Sequence, residues 1–404
     1  MTWMSWRAAS GVRDSDGGLE RIGPRCGCPL GGVVITACKI MHMQARRQAP
    51  RAFLRNPSVA RGLLCTESAG AAALPAFLPR FELRGSKAAA KVWKVSRMAY
   101  WNQRTVAKRV SCTGVGLHSG APVTLTLAPA PAEAGITFVR MDLGVEIPAR
   151  HDLVADTRLN TSLALGDARV STVEHVLSAL HGMGIDNCRV EVDGPETPVL
   201  DGSAAPFVAL IKQAGVKVQK AAKHYLVITQ AVEVRDGDKL ARLEPAEGFS
   251  VSFTADFGHP LITNQGFAVA VSDRSYEREV ARARTFCFRK DIEAMQAVGL
   301  ARGGSLENAI VVDEYSILNP EGLRWPDEFA RHKVLDAIGD LALLGKPLLG
   351  SLTAVKSGHA LNQALVKRVL ADPACHRIVQ VSEESEAARA RLPVPVGSEA
   401  QQPA

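Results

Sequence analysis

Between Arg104 and Ile147 apolar and polar positions alternate in short runs broken by turns. Val123-Thr124-Leu125-Thr126-Leu127 alternates strictly, which predicts a half-buried strand. Arg109–Cys112 predicts another, with the glycine-rich stretch Thr113-Gly114-Val115-Gly116-Leu117-His118-Ser119-Gly120 between them. The period then lengthens. A helix is expected from Ser171 through Leu177 and Leu180 to Gly182, then a strand at Cys188–Val192 and a helix from about Ala204 to Ala214. The lysine-bearing segment from Val216 to His224 is expected to be a linker. Beyond it the same grammar recurs, with strands at Tyr225–Val234, Leu240–Leu243 and Ser250–Thr254, a helix near Asp291–Ala297 and a strand at Ala309–Val312. A long helix is predicted from Pro326 to Leu344, stopped by Gly345 and Pro347. A strand at Gly350–Val355 and a helix from about Ala360 to Leu370 follow. Strands then helices, twice over, predict an α+β pair of domains rather than a doubly wound sheet. The expected bounds are 98–218 and 224–383, with 384–404 a disordered, Ala/Pro/Glu-rich tail.

Composition adds one correction to a first impression. The 404 residues are 47% apolar and 22% charged, which suits globular domains, and no apolar run reaches the length of a membrane helix. The net charge of +7 suggests an anionic partner until it is divided. Residues 1–97 hold 16 Lys/Arg against 5 Asp/Glu, a net of +11, and the remainder carries −4. The basicity therefore says nothing about the folded body, and no nucleic-acid partner is expected. Residues 1–97 show no sustained periodicity. Gln44 to Ser68 is Arg-rich with one acid, Glu67, which is the composition of an organelle import segment. The other reading is an extension translated from a start placed too early, with the protein proper opening near Met98.

Cysteines do not point to a framework. Cys112, Cys188, Cys287 and Cys375 are widely spaced in apolar surroundings, as in a reduced compartment. Cys26-x-Cys28 is too tight for a zinc ribbon.

Three stretches carry candidate chemistry. On the helix after Pro326, His332, Asp336 and Asp340 recur at i, i+4 and i+8, so they drift only about 40° per step along one face. A His and an Asp four apart can grip one Zn²⁺, but a solvated helix face reads the same way. Thr172-Val173-Glu174-His175 opens the earlier helix. Ser171 and Glu174 have the spacing of a capping box; alternatively His175 is a third ligand, with Glu174 a general base. Two His and one Asp leave one tetrahedral position open, as catalytic zinc requires. Lys356-Ser357-Gly358-His359 follows a strand and opens a helix, a place for a phosphate or an acid catalyst.

These pieces together resemble the UDP-3-O-acyl-N-acetylglucosamine deacetylases, zinc enzymes of lipid A synthesis. The resemblance rests on Gln103-Arg104-Thr105, the glycine-rich stretch, Ser171-Thr172-Val173-Glu174-His175 and Gly184-Ile185-Asp186-Asn187. It continues through Asp201-Gly202-Ser203-Ala204-Ala205-Pro206-Phe207 and Arg284-Thr285-Phe286. Arg324-Trp325-Pro326-Asp327-Glu328-Phe329-Ala330-Arg331-His332-Lys333, Asp336, Asp340 and Lys356-Ser357-Gly358-His359-Ala360 complete it. The matches stand in family order over about 103–370, and residues 1–97 match none of it. The family starts close to the Gln-Arg-Thr motif, which favours the misplaced start.

The resemblance implies two layered α/β-sandwich domains with the active site between them. His175, His332 and Asp336 would hold zinc, or Fe²⁺ in the same ligands. Glu174 would be the general base, His359 the general acid and Asp340 the group that orients and charges it. Thr285 would offer its hydroxyl to the oxyanion. Lys333 and Lys356 would hold the diphosphate, Phe286 would stack near the sugar and His118 would line its site. An insert at about 291–312 would form a passage for the acyl chain, lined by Ile292, Met295, Val298, Leu300, Leu306 and Ile310. A small-molecule UDP-sugar lipid precursor, a monomeric state, at most peripheral membrane contact and a bacterial cytoplasm are implied too, with organelle import through 1–97 the alternative.

Overall fold

The structure, a computed structural model, describes residues 101–380. The N-terminal extension and the tail after 383 lie outside the described residues. The chain between is α+β, as expected.

The first half builds a mixed five-stranded sheet in the order β2 (Val110–Val115), β3 (Pro122–Pro129), β9 (Cys188–Val192), β4 (Ile136–Arg140) and β5 (Val145–Pro148). The alternation read at β3 is real: Val123, Leu125 and Leu127 are buried, while Thr124 and Thr126 face outward. Antiparallel β6 (Val154–Asp156), β7 (Ser162–Leu165) and β8 (Ala168–Val170) form a smaller sheet. Helices α1 (Glu174–Gly182) and α2 (Ala205–Ala214) bury Val176, Leu177, Leu180, Phe207 and Ile211 in the core.

The expected linker is a correction. Val216–Ala222 forms strand β10, antiparallel to β1 (Asn102–Val106). Its lysines hid a ladder whose hydrogen bonds come from the backbone, not from an apolar face. In the second half β11 (His224–Ile228) and β12 (Val232–Asp236) are two strands where one was expected, separated by Thr229–Ala231. They join β13 (Lys239–Glu244), β14 (Phe249–Ala255), β15 (Gln265–Ala270), β18 (Leu348–Val355) and β19 (His376–Gln380) in a seven-stranded sheet. A parallel pair, β16 (Phe286–Phe288) and β17 (Ile310–Val312), brackets α3 (Arg289–Ala297). Helices α4 (Glu328–Leu341) and α5 (His359–Ala371) complete the described chain, which has no helix long and apolar enough to cross a membrane.

Two packing constraints place the later chemistry. Arg284 and Glu328 form an ion pair that is almost wholly buried, with Arg284 Nε and Glu328 Oε1 3.0 Å apart. The Glu328 carboxylate also accepts the backbone N–H of Arg284 and of Arg324, so the start of α4 is tied to the segment that leads into β16. The second is a bare spot on α4. A Cβ at Gly339 would lie 2.1 Å from the carbonyl oxygen of Glu174, so only glycine lets the start of α1 seat against α4. Gly339→Ala would have to push the two helices apart, since the obstacle is backbone rather than a side chain that can turn. Overpacking of this kind costs about 1–3 kcal/mol, and calorimetry should show the matching fall in Tm. A variant melting like the parent would refute the constraint.

Candidate active site

The face of α4 bearing His332, Asp336 and Asp340 is not solvated. The three residues are 1%, 3% and 0% exposed. Leu335, Ile338 and Leu341 on the same helix are fully buried, so the stripe next to them pulls the polar row into the interior. Glu174 does not cap its helix either. Val173 is the N-cap and makes no side-chain cap bond, while the Ser171 hydroxyl is taken by Ser162 and Arg169. Glu174 is thereby left to the site, at the first turn of α1.

His175, His332 and Asp336 come together: one ligand atom from each lies within 4.8 Å of the others. His332 Nε2 and His175 Nε2 are 3.3 and 3.7 Å from the same oxygen, Asp336 Oδ1. That oxygen is buried and has no hydrogen-bond partner, whereas Oδ2 accepts from Lys333 Nζ at 2.8 Å. A buried acceptor left bare normally costs 1–3 kcal/mol, so an aligned unsatisfied oxygen facing two imidazole nitrogens suits a cation. His332 Nδ1 bonds the carbonyl of Ala283 at 3.0 Å, which turns Nε2 towards the cluster. Burial pushes the His332 imidazole down to about 3, so it is neutral and its lone pair is available. Against its burial, His332 and Lys333 hold the Asp336 carboxyl well below the usual carboxylate range. The donor set, two imidazole nitrogens and one carboxylate oxygen, fits a divalent metal.

Beside it stands a second group. His359, the first residue of α5, has Nδ1 2.9 Å from Asp340 Oδ2 and Nε2 3.8 Å from Glu174 Oε1. Burial opposes charge on His359, but Asp340 outweighs it and raises the imidazole to about 9. Burial raises Glu174 in turn, with His359 and His175 opposing. One carboxyl with raised proton affinity and one charged imidazole across 3.8 Å are the makings of an acid–base pair.

The remaining expected residues are distributed around these two groups. The Phe286 ring lies edge-on to His332 at 6.3 Å and to Phe329 at 5.0 Å, and Lys333 Nζ sits 5.5 Å from its centroid. Thr285 is half-buried; its N–H donates to Gly202 O, and its carbonyl accepts from Ile310 N–H. Lys356 does not stand free: Nζ is 2.8 Å from Asp238 Oδ2 and 3.1 Å from Asp256 Oδ2. His118 is buried in the glycine-rich turn, and burial lowers its proton affinity. Ala301 N–H points at His118 Nδ1 from 3.4 Å, which joins the insert to this turn. Within the insert Ile292, Met295 and Leu300 are half-buried, Val298 and Leu306 are exposed, and Ile310 belongs to the core.

Several contributors carried no signal in the sequence. Thr161, fully buried, gives its N–H to Glu174 Oε2 at 3.0 Å and its hydroxyl to Asp340 Oδ1 at 2.6 Å. One residue thus holds both carboxylates. Asn362 donates to Asp340 Oδ2 at 2.9 Å and is itself held by the Ser357 hydroxyl at 2.7 Å. Nothing in the local pattern around Thr161 marks it, because its partners lie 13 and 179 residues away.

A buried His/His/Asp cluster with an adjoining acid–base pair, on an α+β frame, is the equipment of a metal-dependent hydrolase. The comparisons with known proteins give the family. The LpxC family model, UDP-3-O-acyl N-acetylglycosamine deacetylase, matches residues 103–371. Two relatives named UDP-3-O-acyl-N-acetylglucosamine deacetylase come from Anaeromyxobacter. That of strain Fw109-5 is 76% identical over 300 residues, covering 74% of this chain and 98% of that protein. That of Anaeromyxobacter dehalogenans strain 2CP-C is 77% identical over 298 residues, 74% of this chain and 97% of its own. A Myxococcus xanthus relative of the same name is 60% identical over 285 residues, 70% and 91% of the two chains. The chain belongs to the LpxC family, whose members are metalloenzymes.

The ligand assignment has a direct check. Asp336→Ala should lose bound metal in elemental analysis of the purified protein, while His359→Ala should keep it. Metal retained by Asp336→Ala, or lost with His359→Ala, would redraw the ligand set.

Proposed function

We infer that this chain removes the acetyl group from UDP-3-O-(3-hydroxyacyl)-N-acetylglucosamine, a step of lipid A biosynthesis, with Zn²⁺ as its metal. The observation that carries the reading is the pairing of the His175, His332 and Asp336 cluster with Glu174, His359 and Asp340 in one buried site. The relatives' shared name supplies the substrate class.

When bound, zinc polarises an acyl oxygen and lowers the proton affinity of water. The rest is done by the chain. Glu174 Oε1 takes a proton as water adds to the acetamide carbon. Thr161 fixes the other oxygen, Oε2, so the base presents a single orientation. Thr285 donates its hydroxyl to the oxyanion of the tetrahedral intermediate. His359, held charged by Asp340, delivers its proton to the sugar nitrogen as the C–N bond breaks, and acetate leaves. Lys333 and Lys356 hold the diphosphate; for Lys356 this means exchanging Asp238 and Asp256 for phosphate oxygens. Phe286 stacks near the sugar and His118 lines its site. The insert at about 291–312 takes the acyl chain. The reading includes two α/β-sandwich domains, about 98–218 and 224–383, meeting at this site. It places a monomer in the bacterial cytoplasm, in at most peripheral contact with a membrane.

Acetate release from the UDP-sugar by the zinc-loaded protein tests the whole reading; a protein that binds the substrate without releasing acetate would overturn it. His359→Ala should lower turnover roughly 100-fold or more with zinc content unchanged. The pH dependence follows from His359. Its proton is retained below about 9, so turnover should hold up to that pH and fall as pH rises through it. Asp340→Asn, which removes the charge responsible, should move that basic limb to lower pH; a limb that stays put would assign it to another group.

A further inference from the structure

The residue before the N-cap of α1 has a backbone that β-branched side chains avoid. Thr172 has φ +59°, in the left-handed region, where a branched Cβ meets its own backbone. It stands two residues before Glu174 and three before His175, so its conformation sets the direction in which α1 starts. Such a conformation persists only where the surroundings impose it. Here they do so from both sides. The Thr172 hydroxyl donates to Glu196 Oε1 at 3.0 Å, and its carbonyl accepts from the Thr197 hydroxyl at 2.5 Å. The flanking backbone is laced to the same segment, with Ser171 N–H on Pro195 O at 2.9 Å and Thr197 N–H on Ser171 O at 3.1 Å.

Glu196 is 4% exposed. Its oxygens are met by hydrogen bonds. Besides Thr172, Oε1 accepts the N–H of His118 at 2.9 Å and Oε2 that of Ser119 at 2.8 Å. The glycine-rich turn is shaped to admit it: a Cβ at Gly116 would lie 2.3 Å from Oε2. One carboxylate therefore grips the turn that carries His118 and the strained residue that aims Glu174 and His175. The insert reaches the same turn, through Arg302 N–H on His118 O and Gly303 N–H on Leu117 O.

We propose that Glu196 is a positioning residue for the deacetylation reaction: it holds Thr172 left-handed so that Glu174 faces His359, and it holds the turn of His118 against the substrate. The proposal rests on the function inferred above. Two consequences separate by residue. Thr172→Val keeps the side chain's shape and removes only the hydroxyl, so it touches the aim of α1. Glu196→Gln touches both ends, and no orientation of the amide rescues it, because its NH₂ must face the N–H of either His118 or Ser119.

The test is a double-mutant cycle on the zinc-loaded full chain, with kcat, KM, zinc content and Tm measured for each protein. Thr172→Val should lower kcat roughly 10- to 100-fold, as small misplacements of catalytic groups do, with KM within about twofold of the parent. Glu196→Gln should lower kcat as much and also raise KM. The double variant should have the kcat of Glu196→Gln alone, since both changes break one clamp. All should keep one zinc per chain. If Glu196→Gln does not fold, Thr197→Val, which frees the Thr172 carbonyl, takes its place in the cycle. Losses that multiply in the double variant, losses that track zinc content, or folded variants with parental kcat would each overturn the proposal. A parent chain that releases no acetate would instead sink the functional reading on which it stands.

Discussion

The approach of α1 to α4 at Gly339 is the contact on which the site depends. The helix turn that carries Glu174 must sit within a few ångströms of the helix that carries His332, Asp336 and Asp340, and side chains normally keep helix axes 8–10 Å apart. Gly339 removes the obstacle at the point of crossing, where the Glu174 carbonyl occupies the space of the missing Cβ. With that contact made, the i, i+4, i+8 row of α4 spans the start of α1. Asp336 Oδ1 then lies within 3.7 Å of His175 Nε2, and Asp340 reaches the imidazole that faces Glu174. Shifting either helix would break both groups at once.

Such closeness buries six ionisable side chains, and the site is stable because each charge has a stated counterpart. Asp336 has Lys333 on one oxygen and the two imidazoles at the other; Asp340 has His359, Thr161 and Asn362. Glu174 has a backbone N–H and a cation at 3.8 Å. Removing any one of these partners leaves a buried charge without compensation, which is far more costly than the net worth of the pair. In the same low-dielectric surroundings burial drives His332 towards neutrality while Asp340 holds His359 charged against its burial, although both are buried imidazoles next to aspartates. The difference is what else each faces: His332 has Lys333 as an added positive neighbour, His359 has Glu174 as an added negative one.

The periodic parts of this arrangement are legible in the sequence because they are local. The row on α4, the helix opened near Glu174 and the strand–turn–helix around His359 follow from spacing alone, and the family motifs then give them roles. Two local signals were ambiguous, and tertiary contacts decided both. The spacing of Ser171 and Glu174 matches a capping box, yet Ser171 is used by Ser162 and Arg169. The polar row on α4 could have faced water, yet its helix is packed on both sides. Val216–Ala222 shows the opposite failure: a run of lysines reads as a linker, but its partner β1 lies more than a hundred residues earlier. No window of sequence contains both strands.

Thr161 and Glu196 show why the supporting residues are harder to read than the reacting ones. Neither belongs to a periodic element, and each acts on groups far away in the chain: Thr161 on Glu174 and Asp340, Glu196 on His118, Ser119 and Thr172. A carboxylate whose partners are backbone N–H groups and a hydroxyl has no complementary charge to reveal it. Their chemistry is nonetheless constrained as tightly as that of His175, His332 and Asp336. Thr161 must offer a donor from both backbone and side chain at a position fully closed to solvent, and Glu196 must offer acceptors on both oxygens. A reacting group is recognised by what it is; these residues are recognised only by what they hold.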